Sequence, residues 1–433
     1  MKFGVDLTVT SHRAGRGAGP SWFDAYKAPD GEAPALVLDF ANGVYGVGGV
    51  QQPLSSAMGF SRASTKAYTG AGGQIAYAAS DEPAISRHPI SGNIAGLLIE
   101  PARSNLNLWS EDFSNSVWSK SGITISSDAI AAPDGTLSAD KFVEGGSSGL
   151  QRVVQTVSVV SGTLLTSSVF VKAAERNKVQ LVFAGSGGYT QRIFNLSDGS
   201  LGPVATNGGA FSSVTAKIEP FADGWYRASM SAQTSGNSSV MVMYSLIDPS
   251  NANNYPSTAG FGAYFWGAQV EAFAEKSSYI KSEGTQGARA GDIADIALGA
   301  WFDPSQGSLV AQVSGDAKGY VAELSSSSSN RVAIGSTFLR NSGGSSQSAA
   351  RSAGSSTCAI SYNAAGSWSA AQSGALLSTS DAGAFSEGLT RLNIGHFLNG
   401  STAEQQLGGA IKRLVYYPER LSDTALAQIT QAV

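Results

Sequence analysis

At 433 residues the chain exceeds one ordinary hydrophobic core, and two or three domains are expected. Hydrophobic residues at 42% and aromatics at 9% exclude a disordered chain, while 14% charged residues and 52 glycines point to short strands, tight turns and a surface of small residues. A formal net charge of -4 excludes a basic field for nucleic acid or anionic lipid.

The single cysteine, Cys358, rules out an internal disulfide framework, and three scattered histidines supply no metal cluster, so neither metal nor cofactor is expected. Met1 to Thr8 lacks the apolar core of a signal peptide, and no run approaches the roughly 18 apolar residues of a membrane span, so no membrane insertion is expected. Residues 1–35 hold Arg13-Ala14-Gly15-Arg16-Gly17-Ala18-Gly19-Pro20 ahead of Trp22-Phe23-Asp24-Ala25-Tyr26. Glycine and proline at that density predict irregular backbone, read as an attachment arm that orders against a partner.

From 36 to 105 short strands are broken by glycine: Leu36 to Phe40, Val44 to Gly48, and Phe60-Ser61-Arg62-Ala63-Ser64-Thr65-Lys66-Ala67-Tyr68. This stretch, with Gly96-Leu97-Leu98-Ile99-Glu100-Pro101-Ala102-Arg103-Ser104-Asn105, resembles the segment just upstream of the sugar-binding module in phage head-spike and tail-fibre proteins. The resemblance implies a collar or shoulder, in which Arg62, Glu100 and Arg103 form intersubunit ion pairs or weak surface pairs.

The region 106–281 carries the clearest strand signal. Asn105 to Phe113 and Trp118 to Ile125 read as opening strands, and Pro133-Asp134-Gly135 as a turn. Val179, Leu181 and Phe183 alternate with Lys178, Gln180 and Val182, the period of a half-buried strand. Arg192 to Leu196 ends in Ser197-Asp198-Gly199-Ser200, a hairpin turn, and Val240 to Ile247 is apolar on both faces, as an inner strand is. The Asn105–Lys141 stretch, Gly224-Trp225-Tyr226-Arg227, and Trp266-Gly267-Ala268-Gln269 with Ser278-Tyr279-Ile280 together resemble the carbohydrate-binding-module-like β-sandwich of phage spikes and fibres.

Residues 282–297 read as a polar, glycine-containing linker. A second sandwich spans 298–433, from Trp301-Phe302-Asp303-Pro304 through Gly409-Ala410-Ile411-Lys412-Arg413-Leu414-Val415-Tyr416-Tyr417-Pro418. It resembles the concanavalin-like (laminin G-like) jelly roll that ends many phage fibres. Ser422 is an N-cap for a short C-terminal helix with Leu426, Ile429 and Val433 at helical spacing, expected to plug one end of the sandwich. The fold class is therefore all-β, with consecutive antiparallel sandwiches, an irregular N-terminal region and a short C-terminal helix.

No carboxylate pair stands out as a glycosidase site, no parallel β-helix repeat is present, and His88 and His396 adjoin no nucleophile elbow. Catalytic residues are expected to be none, and the chain is read as not an enzyme. Sugars stack on flat rings and need planar polar partners, which nominates Tyr189, Arg192, Trp225, Tyr244 and Tyr255, with Trp266 beside them. Packing is the competing role for each, least so for Tyr189 and Tyr255, which sit among loop residues. The resemblance implies a component of the exterior of a phage or phage-like particle, head spike or tail fibre. It implies a homotrimer that binds host capsular or other surface polysaccharide and other virion proteins through its N-terminal region. The alternatives are a purely structural decoration protein and a capsule-degrading hydrolase.

Overall fold

The computed structural model describes residues 21–315, 318–327, 330–342, 345–381, 388–399 and 402–431. The expected arm before residue 21 and Val433 lie outside the described residues.

The first sandwich holds two six-stranded antiparallel sheets. One runs Ser119–Ser121, Arg152–Ser158, Ser239–Leu246, Lys178–Gly185, Gly188–Asn195, Leu201–Gly208. The other runs Ile123–Ala131, Leu137–Glu144, Gly262–Glu271, Leu164–Ala173, Tyr226–Thr234, Phe211–Pro220. Val179, Leu181 and Phe183 point into the core with Val240, Val242 and Leu246, as their alternation predicts. The doubly apolar strand is interior to its sheet, and Gly199 turns the expected hairpin at φ +69°. Asn105 to Trp118 differs from expectation: after Arg103–Asn105 the backbone is irregular to Trp118, because Phe113 and Trp118 are drawn inward to fill the core. Phe113 meets Phe142 and Trp118, each at 5.1 Å between ring centroids, and the Trp118 indole donates to the Trp109 carbonyl at 3.0 Å.

Among the described residues the second sandwich pairs a ten-stranded sheet with a seven-stranded one. Its central strand, Gly409–Tyr417, lies between Gln306–Ser314 and two strands from the expected collar. Leu36–Asp39 pairs with Arg413 to Tyr416, and Ile94–Ile99 pairs with Gly409 to Ile411. Gly96 makes the second join possible: at φ +125° its Cβ would stand 2.1 Å from the Ile411 carbonyl oxygen. Gly59–Ser61 edges the opposite sheet beside Ile293–Ala297, within the stretch expected as a linker. The collar residues thus contribute to the core that holds Leu36, Leu38, Leu97 and Ile99 with Leu309, Ile360 and Leu414.

The helix Asp423–Ile429 forms, capped by the Ser422 hydroxyl accepting from the Ala425 amide. It does not plug an end. Leu421, Ala425 and Leu426 pack with Phe23 of the Ser21–Tyr26 3-10 helix on the outer face of the ten-stranded sheet, over Val310, Ala359, Val415 and Tyr417.

The first sandwich departs from and returns to the second through a two-stranded junction, Arg103–Asn105 against Gly287–Arg289. Beside it lies a buried ionic cluster. Asp292 accepts from the Arg62 guanidinium at 3.1 Å, from the Glu100 amide at 2.8 Å and from the Lys66 ammonium, while Glu100 holds Arg289 at 3.0 Å and Lys66 at 3.3 Å. The expectation of intersubunit or surface pairs for Arg62 and Glu100 is corrected: both are buried within one chain. Arg103 lies 4.0 Å from Glu271, its guanidinium over the Phe273 ring.

Candidate functional site

The structure separates the residues nominated from sequence. Tyr189 begins the Gly188–Asn195 strand opposite Ala184 and Asn207, and its side chain is 36% exposed. Arg192 pairs with Leu181 and so takes the core-side register, partly buried. Tyr244 is in the core, its hydroxyl between Ser167 Oγ at 3.0 Å and Asn107 Nδ2 at 3.3 Å. Trp225 and Trp266 are buried on the other sheet's outer face with Phe170 and Tyr279. Tyr255 is corrected from an exposed loop ring to a buried one. Its segment Asn254–Pro256 pairs with Ser148–Leu150, and its hydroxyl donates at 2.6 Å to Glu144, which also holds Arg176 at 2.6 and 2.8 Å. Five nominated rings and one guanidinium therefore do not converge; Tyr189 alone among them presents an exposed ring.

A different group of polar side chains does converge, on the outer face of the ten-stranded sheet. Between the Ser21–Tyr26 helix and Asp423–Ile429 lies a groove of about 530 Å³. Val310, Gln312, Thr357, Arg413 and Val415 line it from the sheet. Tyr26, Asn42, Asn93 and Gln431 contribute from the surrounding segments. Small-molecule sites need a concave surface with a few placed polar groups.

Asp39, 0% exposed, organises this groove. Its carboxylate accepts from the Tyr26 hydroxyl at 2.9 Å, the Asn42 amide nitrogens at 3.0 and 2.9 Å, and Arg413 Nε at 2.9 Å. Burial pushes the Asp39 carboxyl up, but the Asn42 hydrogen bonds and the Arg413 charge outweigh it and hold it below its ordinary value. The guanidinium lies 5.3 Å from the centre of the Tyr26 ring and its side chain is 39% exposed. Among the described residues nothing accepts from its two terminal nitrogens, so they are held in place and free. A β-bulge supplies the neighbouring cation. Gln312 pairs with Arg413 and Val313 with Ile411, so Lys412 is the extra residue and lines the groove beside Arg413 instead of pointing away from it.

The sequence contained these residues without marking them. Asp39 sits in the Leu38-Asp39-Phe40 landmark and Arg413 in Ile411-Lys412-Arg413-Leu414, but each reads as an isolated charge on an apolar strand. Only their pairing across 374 residues makes a site. The one local signal is the adjacent pair Lys412-Arg413, which a regular strand would split between two faces.

No protein-family model and no curated protein matches the sequence. Solved structures that it is similar to include the CBM40 module of the Ruminococcus gnavus IT-sialidase bound to α2,3-sialyllactose, at 17% identity, covering 30% of this chain and 84% of that one, with a TM-score of 0.26. A second structure of the same module gives 17%, 30% and 84% with a TM-score of 0.24. A Trypanosoma rangeli sialidase in complex with sialic acid is 10% identical over 67% of this chain and 60% of that one, with a TM-score of 0.24. Likenesses at this level assign no ligand. The third nevertheless corrects the expectation of a chain that is not an enzyme: a sialidase stands among its structural neighbours, and the non-enzyme reading is dropped with no activity put in its place.

Proposed function

We propose that this chain binds saccharide, through the groove organised by Asp39, as an exterior component of a phage or phage-like particle that holds host surface polysaccharide. The observation that carries the binding reading is the Asp39-anchored set of Tyr26, Asn42 and Arg413 in a polar groove. The tyrosine offers a ring, the amide and guanidinium offer planar hydrogen-bond partners for hydroxyls, and their common anchor lowers the entropy lost on binding. The exposed ring of Tyr189 on the first sandwich is a second point of contact. The particle and its homotrimeric assembly rest on the resemblance of the Phe60–Tyr68, Gly96–Asn105 and Gly409–Pro418 stretches to phage spikes and fibres. Several copies per particle turn weak single contacts into firm adhesion.

The test is binding of purified protein to capsulated and capsule-deficient host cells, with the supernatant assayed for released oligosaccharide. Capsule-dependent binding that Arg413→Ala abolishes is the expected result. Equal attachment to both cell types, or none, overturns the reading in favour of a structural spacer, and released oligosaccharide adds turnover to binding.

A further inference from the structure

The groove has a charge balance that a site for neutral sugar does not need. Among the described residues its lining includes Lys27, Lys412 and Arg413 and no aspartate or glutamate. Beneath it the buried Asp39 offsets one cation, Arg413. Lys27 is paired with Asp24 at 2.7 Å outside the groove lining. Lys412 is left, with no ion-pair or hydrogen-bond partner to its side chain among the described residues. One positive charge is therefore in surplus at this place on a chain whose formal net charge is -4.

The geometry of the arginine narrows the choice further. Asp39 takes Nε and Tyr26 covers one face of the guanidinium, which leaves the edge formed by the two terminal nitrogens pointing away from its anchor. That edge presents two parallel N–H groups, the arrangement that matches the two oxygens of a carboxylate. Gln312, Thr357 and Asn93 line the same groove with side chains that no other described residue engages, available to the hydroxyls of a sugar ring.

We infer that the saccharide taken by this groove carries a carboxylate, which Arg413 clasps through its terminal nitrogens while the ammonium of Lys412 neutralises its charge. The inference rests on the saccharide reading above and names the class of sugar. Sialic acids and uronic acids share this chemistry, and the experiment has an arm for each.

The full chain is titrated calorimetrically with α2,3-sialyllactose against lactose, and with an oligogalacturonate against its methyl ester. The expected result is binding of at least one carboxylated probe, with its neutral counterpart weaker by about tenfold or more. Which acid binds identifies the source of the carboxylate. Arg413→Lys retains the charge but not the fork, and is expected to weaken the acidic probe by about tenfold while leaving the Asp39 ion pair in place. Lys412→Gln, at a side chain without a partner among the described residues, provides a second variant if Arg413→Lys does not fold, and it is expected to weaken the acid and spare the neutral probe. Neutral probes bound as tightly as their acids, or an affinity indifferent to both substitutions, overturn the carboxylate and leave saccharide binding standing. Failure of all four probes to bind overturns both.

Discussion

Replacing Glu100 by glutamine tests whether the buried ionic junction stabilises the fold. Glu100 is 5% exposed. Its Oε2 meets Arg289 at 3.0 Å, Lys66 at 3.3 Å and the Ser278 hydroxyl at 2.7 Å, and its Oε1 accepts from the Ser278 amide at 2.8 Å. Burial alone raises the carboxyl, but Arg289, Lys66 and Ser278 overcome it and bring the pKa from 4.5 to about 2. At about 1.4 kcal/mol for each pH unit, the gap between 4.5 and about 2 corresponds to about 3 kcal/mol of stability carried by the ionised carboxylate. Because the folded value lies below the unfolded one, the unfolded chain takes up the proton first as pH falls. The contribution is full above 4.5 and drains away between 4.5 and about 2. Glu100→Gln is therefore expected to lose about 3 kcal/mol at neutral pH and progressively less in acid, read from urea midpoints at matched m-values by tryptophan fluorescence. A variant as stable as the parent at neutral pH, or a deficit that stays constant down through that window, refutes the argument.

Three further outcomes are expected. Gly96→Ala puts a methyl group against the Ile411 carbonyl and should destabilise the second sandwich by about 2 kcal/mol or more, measured by thermal unfolding. Tyr255→Phe removes the hydroxyl that donates to Glu144 and should lower stability by about 2 kcal/mol, since the acceptor is charged and buried. Asp39→Asn is expected to lower affinity for any saccharide bound in the groove, because Arg413 loses the carboxylate that orients it; titration with whichever probe the parent binds provides the measurement.

Features set by neighbours in sequence were legible. The alternation at Val179 to Phe183, the turns at Pro133 to Gly135 and Asp198 to Gly199, and the Ser422 cap each depend on a few consecutive residues, and each formed. What sequence alone did not disclose was which surfaces meet. Arg62 reads from sequence as an intersubunit or surface pair, yet it and Lys66 are buried because Asp292 and Glu100 come to them from distant segments. Tyr255 follows two asparagines and precedes a proline, a loop pattern, but Glu144 and Arg176 give its hydroxyl a buried partner and draw the ring inward. The helix Asp423–Ile429 was readable as a helix, while its seat on the outer sheet face depends on Val310, Ala359 and Val415 from three other strands.

The pairing of Leu36–Asp39 with Arg413 to Tyr416 also fixes an order of events during synthesis. The ten-stranded sheet lacks its central strand until Gly409–Tyr417 has been made, so Leu36–Asp39 and Ile94–Ile99, each paired on one side with an early neighbour, wait with the other edge open while the whole first sandwich is translated. That sandwich closes on contacts within its own span and is free to fold as it emerges. Folding of the second sandwich is thereby a late step of high contact order, slow by its topology. Because the two ends of the early-folding unit are joined side by side at Arg103–Asn105 and Gly287–Arg289, it brings the waiting strands and the arriving ones to the same place. A ribosome stalled far enough past Arg289 for Gly262–Glu271 to have cleared the exit tunnel, but before Gly409, is expected to yield nascent chains whose first sandwich resists protease while Leu36–Asp39 is cut.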